Sequence, residues 1–227
     1  MDSGQSQFRT EDEDRGKNFF FVTILLCVIN ILLYVYTFVN PMDYYLTGGM
    51  NYDLVVEQGE YFRFLTCMFL HGDVEHIAMN MLGLVTAGVQ VESYLGALRT
   101  AIIYFASGAG GSILSLLFHQ GERQIISIGA SGAVFGLLVS SAIIQNKKQG
   151  KSLGRAIGFV LIYALVTYSE GIDLTGHLGG AIGGAIAAGL FSIGFTEDYR
   201  EGNLCKVLGI LITLLLSLGA AYFIIGL

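Results

Sequence analysis

Seven apolar runs, separated by polar, charged or glycine-rich breaks, organise this chain: residues 19–39, 77–95, 100–118, 131–145, 153–168, 175–195 and 207–227. Most approach the roughly 20 residues that carry an α-helix across a hydrocarbon core about 30 Å thick. The pattern predicts an all-α membrane protein, a polytopic bundle of seven transmembrane helices in one domain without an internal repeat. The fourth run orders the rest. Its roughly 15 residues reach only about 22 Å at ~1.5 Å per residue, so one end of that helix must lie beneath a membrane surface. Backbone polar groups cannot be left facing lipid, so the approach over residues 125–130 must line a protein-walled or water-filled cavity. The helix begins there with Gly129-Ala-Ser131-Gly132. A serine so placed is either a packing device or a nucleophile.

Composition supports the membrane reading: 53% of residues are hydrophobic, 13% are charged and one is proline, with a mean hydropathy of +0.63. Lys and Arg are held on the cytoplasmic side of membranes. With the N-terminus inside, ten of the twelve basic residues fall inside, and only Arg63 and Arg123 fall outside. The expected topology is therefore multi-pass in a cell membrane, N-terminus cytoplasmic and C-terminus extracytoplasmic, with Ser131 on the outer side. The short N-terminal tail without an organelle presequence favours a bacterial inner or plasma membrane. The net charge of -6 reflects an acidic cluster over residues 11–14 in a solvated tail and points to no nucleic-acid partner. The first run is too long for a signal peptide and lacks a cleavage site. Cys27, Cys67 and Cys205 have no metal-ligand spacing and read as packing residues.

Polar residues gather at the outer end of three helices. His76 and Asn80 are four apart and share a helix face one turn below the surface. A lone membrane histidine is by default a satisfied core residue, but ionisable groups at this depth are costly and often functional. In the fourth helix Gly132, Gly136 and Ser140 recur every four residues; in the sixth, Gly176, Gly180 and Gly184 do the same beside His177. Such small-residue stripes let helices approach closely and would bring Ser131 within hydrogen-bond reach of His177. A serine hydroxyl needs a base, and acyl transfer needs donors aimed at the developing oxyanion. Ser131 as nucleophile, His177 as base, and Asn80, His76 and the Ser131 N–H as donors fit those needs. Phe135, one turn after Ser131, would hold the His177 imidazole by stacking. Asp173 reads as a helix cap rather than a third catalytic member, Glu92 as a partner of loop groups or Arg99, and His119 as a solvated loop residue. In the first loop, the apolar stretch 61–70 is expected to lie partly in the interface, with Arg63 either anchoring it through carbonyls or snorkelling.

These residues resemble the rhomboid family of intramembrane serine proteases. The resemblance is carried by His71 and His76-x-x-x-Asn80, by Gly129-Ala-Ser131-Gly132, and by His177-Leu-Gly-Gly180 with Asp173 before it. It covers residues 19–195, and the seventh helix looks like the added C-terminal helix of the six-plus-one form. It implies a disordered cytoplasmic tail over 1–17, a six-helix catalytic core over 18–195, and a linker with the seventh helix over 196–227. It also implies cleavage of single-span membrane proteins near the extracytoplasmic face, with no cofactor and no metal, within a lipid bilayer. Ser131 and His177 would form the dyad, Asn80 and His76 would serve the oxyanion, and Gly129, Phe135 and His71 would support them. Phe135 stands where the family often has tyrosine, and Phe62-Arg63 where tryptophan often precedes arginine, which bears on substrate range. A catalytically dead relative that binds membrane clients would not need both Ser131 and His177. A transporter would spread its polar groups through the membrane depth.

Overall fold

The computed structural model describes residues 20–40, 43, 48–122, 125–149, 153–166, 173–193 and 202–226. The expected tail over 1–17, the expected linker up to residue 201 and Arg123 lie outside them. Among the described residues regular structure is helical: α1 (Phe21–Val39), α2 (Tyr52–Val56), α3 (Arg63–Thr66), a 3₁₀ turn (Cys67–Phe69), α4 (Val74–Leu95), α5 (Ala97–Phe118), α6 (Ser131–Gln149), α7 (Leu153–Val166), α8 (Leu174–Ile193) and α9 (Asn203–Gly226). Four of these are long and apolar enough to cross a membrane: α1, α5, α8 and α9. The protein is a multi-pass membrane protein. Large apolar side chains such as Leu190, Leu215 and Phe38 stand exposed on the bundle's outside, where lipid rather than water is the solvent.

Helix starts are set by polar caps that the apolar runs alone do not reveal. α4 begins at Val74, ahead of the apolar run, because the Asp73 carboxylate accepts the His76 N–H at 2.7 Å. It ends at Gly96, whose φ of 84° only glycine adopts freely. α1 is capped from another helix: buried Glu92 of α4 accepts from Val22 N at 3.0 Å, Thr23 N at 2.9 Å and Thr23 Oγ1 at 2.7 Å. A carboxylate at a helix N-terminus meets the positive end of its dipole, which offsets the cost of burying it. The sequence expectation for Glu92, a loop group or Arg99, did not include this cap on α1.

At the centre α5, α6 and α8 meet through glycine. A Cβ at Gly111 would stand 2.6 Å from Gly176 O, one at Gly110 would stand 3.1 Å from Gly179 O, and one at Gly180 would fall on Gly132 O. Backbones therefore touch directly, which suits a medium where association depends on close packing rather than on expelling water. Ser140 Oγ donates to Gly184 O at 2.9 Å and closes the far end of the α6–α8 seam.

The segment between α1 and α4 is folded rather than draped. Asn51 caps α2 and donates to Ile125 O at 3.0 Å, and Thr66 Oγ1 donates to Gly48 O at 2.6 Å. Arg63 is 3% exposed, donates to Gly49 O at 2.7 Å and pairs with Glu60 at 2.6 Å. Of the two sequence readings of Arg63, anchoring through carbonyls is the one realised. Phe62 stacks on Phe223 of α9 at 4.6 Å and 5°, so the last helix braces this segment from outside.

Candidate functional site

The N-terminal ends of α4, α6 and α8 converge, and with them His76, Asn80, Ser131 and His177. Gly132 follows Ser131 and Gly176 precedes His177; a Cβ on Gly132 would lie 3.3 Å from Gly176 O. No side chain separates the two helix starts. Phe135 stacks on His177 with ring centroids 4.3 Å apart at 20°, and Tyr163 of α7 closes on Phe135 edge-on at 5.4 Å. This stack fixes the imidazole plane, as expected for Phe135. Among the described residues no hydrogen bond joins Ser131 to His177 across the contact of the two helix starts. Hydrogen bonds of this kind commonly tighten only when substrate is bound.

The first intrahelical bond of α6 runs from Val134 N to Ala130 O at 3.0 Å. The N–H groups of Ser131, Gly132 and Ala133 thus lie ahead of the helical ladder, at the positive end of the dipole. Facing them is the pair expected from α4. A Cβ on Gly129 would meet His76 Nε2 at 2.6 Å and Asn80 Nδ2 at 3.7 Å, and Gly129 has a φ of 115°. Glycine is required there twice, by backbone conformation and by the imidazole against it. Asn80 is 3% exposed and donates from Nδ2 to His76 O at 2.9 Å. An amide nitrogen carries two hydrogens, so one donor remains on an atom that lies beside Gly129, two residues before Ser131. His71 packs edge-on to His76 at 5.1 Å and 69°, supporting that ring from behind.

On its other side Ser131 borders a cavity of about 40 Å³ lined by Ser112, Ser115, Ser127, Asp173, Cys67, Met68 and several glycines. One water needs roughly 10–15 Å³ and two or more polar partners, so this chamber beside Ser131 has the room and the polar lining to take water. The cavity lies at the 125–130 approach as expected, but α6 is longer than the apolar run, 19 residues to Gln149, because its last turn is polar. The approach to α6 is satisfied by the first loop: Gly129 N donates to Cys67 O at 2.8 Å, and Ser127 exchanges backbone bonds of 2.9 Å in each direction with Met50.

Residues 58–194 match the Rhomboid domain family. This chain belongs to the rhomboid family. It is 41% identical over 139 residues to RHOMBOID-like protein 4 of Arabidopsis thaliana, covering 59% of this chain and 34% of that protein. It is 30% identical over 211 residues to Rhomboid protease GluP of Bacillus subtilis (strain 168), covering 88% of this chain and 40% of that protein. It is also 33% identical over 139 residues to Inactive RHOMBOID-like protein 8 of Arabidopsis thaliana, covering 59% of this chain and 39% of that protein. The chain spans between a third and two fifths of the length of these relatives.

Three parts of this rhomboid site were not legible as site residues. Ser127, Ser115 and Tyr163 stand in runs that read as linker or apolar helix; only the spacing of Ser127, one helical turn before Ser131, hints at it. His119, expected to be a solvated loop residue, is half-buried, lies 3.2 Å from Glu122 and stands 3.6 Å from Asp173. Asp173 does cap α8, accepting from Gly176 N at 2.9 Å.

Burial pushes His71 down to about 3, with nearby His76 adding to the effect and a Phe69 backbone hydrogen bond opposing it. The folded protein thus holds this ring neutral. A histidine depressed by folding takes its proton first in the unfolded chain, so its contribution is complete above about 6.5 and is lost as pH falls through 6.5 towards 3. The unfolding midpoint in detergent is expected to fall as pH is lowered from 7 to 4, and His71→Leu to flatten that slope. An unchanged slope in the variant would remove His71 from the acid response.

Proposed function

We propose that this rhomboid-family protein is an intramembrane serine endopeptidase, cleaving transmembrane segments near the extracytoplasmic face through a Ser131–His177 dyad. The observation that carries the reading is the bare contact of the two helix starts at Gly132 and Gly176, with Phe135 orienting the imidazole. His177 takes the Ser131 proton as Oγ bonds to the scissile carbonyl carbon, then returns it to the departing amine. Negative charge on the carbonyl oxygen is met by the Ser131 N–H, Asn80 Nδ2 and His76. A chamber water then attacks the acyl-enzyme with His177 again as base, releasing the carboxylate product and restoring the hydroxyl. No cofactor or metal enters this scheme. The likeness to Inactive RHOMBOID-like protein 8 raises the second reading, a relative of this fold without cleavage. The hydroxyl and imidazole held on adjoining helix starts support the protease instead.

The same reading takes α1 and α4 to α9 as seven spans, with a six-helix core over 18–195 and α9 as the added helix. It sets the N-terminus in the cytoplasm of a cell-membrane protein. Substrates are single-span membrane proteins entering sideways from lipid. α7 is the element proposed to move. Tyr163 Oη donates to Met79 O at 2.8 Å, and its ring fills the notch left by Gly83, so one latch holds α7 on α4 beside the dyad.

The reading is tested by incubating purified protein with a panel of single-span substrates and locating any cut. Cleavage within or at the outer edge of the span is expected; no cleavage of any substrate and no labelling by a fluorophosphonate would overturn it. Asn80→Ala should lower turnover by about 10²-fold, the scale of one lost oxyanion donor. An unchanged rate would take Asn80 out of the mechanism.

A further inference from the structure

Glycine stripes let two helices touch, but they supply no interlocking side chains to stop one helix sliding along the other. Something else must set the axial position of Ser131 against His177. Ser127 stands four residues before Ser131, and Asp173 stands four before His177. Ser127 Oγ donates to Asp173 Oδ2 at 2.7 Å, joining the two helix approaches directly. Both ends of that bond are anchored. Ser127 is held through its backbone to Met50 and shares a 3.0 Å hydroxyl contact with Ser115 of α5. Asp173 takes Thr175 Oγ1 at 2.6 Å and Gly176 N at 2.9 Å on its other oxygen, with His119 3.6 Å away. Burial pushes the Asp173 carboxyl up, but hydrogen bonds from Ser115, Thr175, Ser127 and Gly176 outweigh it and hold the group at about 2. It is an ionised acceptor across the physiological range, and bonds to ionised acceptors are the strong ones.

We propose that Ser127 and Asp173 are positioning residues, whose direct hydrogen bond sets the register of the nucleophile-bearing approach against the base-bearing helix. This rests on the serine-protease reading. Neither residue reacts with substrate; together they hold Ser131 and His177 where the proton can pass. A misplacement of about 1 Å in such a pair costs on the order of 10²-fold in rate, and loss of one tether among several is expected to cost about tenfold.

The test compares Ser127→Ala, Asp173→Asn, the double variant and Ser127→Thr in the full chain in detergent, measuring kcat and KM on a cleaved single-span substrate alongside the unfolding midpoint. Each single replacement is expected to lower kcat about tenfold with KM within twofold. The double variant should be no worse than the weaker single, since both replacements act on the Ser127–Asp173 bond, whatever Asp173→Asn also costs the α8 cap. Ser127→Thr keeps the hydroxyl and should retain at least half of the wild-type kcat. Unchanged kcat in Ser127→Ala, additive losses in the double variant, or a Thr variant as poor as the Ala variant would each overturn the inference while leaving the protease reading intact. A wild type that neither cleaves substrate nor reacts with a fluorophosphonate overturns both.

Discussion

Ser131→Ala is expected to abolish fluorophosphonate labelling and to lower cleavage of a single-span substrate by about 10⁴-fold or more. The probe forms a bond to an activated hydroxyl, and Ser131 lines the cavity two residues after Gly129, which lies against His76 and Asn80 of α4. His177→Ala should lose nearly as much, because a serine without a base is a weak nucleophile. The double replacement should be no worse than either single one, since members of a catalytic unit act together rather than additively. Labelling that persists in Ser131→Ala would assign the nucleophile to another residue. Labelling lost in Ser131→Ala but retained at the wild-type rate in His177→Ala would leave the serine without its proposed base.

What the sequence disclosed, and what it hid, follows from the range of the interactions involved. The glycine stripes of α6 and α8 recur at helical spacing, so their meeting was legible from periodicity alone, and with it the convergence of Ser131, His177 and Phe135. Gly129 was legible as part of a motif, but its double need for glycine was not, because one reason is the His76 ring arriving from α4. Long-range polar partners were opaque for the same cause. Glu92 caps a helix some seventy residues earlier in the chain, and nothing near Thr23 announces an acceptor. The first loop looked interfacial because apolar residues 61–70 were too few to span. In the fold its second half, Cys67 to Leu70, is buried while Tyr61 stands exposed, and Arg63 and Thr66 tie the stretch to the Gly49 and Gly48 carbonyls. Helix ends shifted for a local reason, since Asp73 starts α4 before the apolar run begins.

The closeness of α6 and α8 makes Gly180→Val the replacement outside the reacting groups with the largest expected effect. A Cβ there would fall on Gly132 O, and its neighbours would be Gly132 backbone atoms rather than the yielding tip of a side chain. The helices must therefore separate, because the seam is equally tight one turn on, where Gly184 lies against Gly136 backbone. Overpacking of this sort destabilises by about 1–3 kcal/mol, while spreading Ser131 from His177 by about 1 Å costs on the order of 10²-fold in rate. Turnover is expected to fall at least that far, with fluorophosphonate labelling slowed in parallel and the unfolding midpoint lowered. Gly189→Val supplies the matched control, on the same helix with no atom within 4 Å of the added Cβ. It should leave turnover within about twofold and stability within ~0.5 kcal/mol, as replacements away from such contacts usually do. Should Gly180→Val cleave and label as fast as Gly189→Val, the contact between the two backbones is not what brings the hydroxyl to the imidazole.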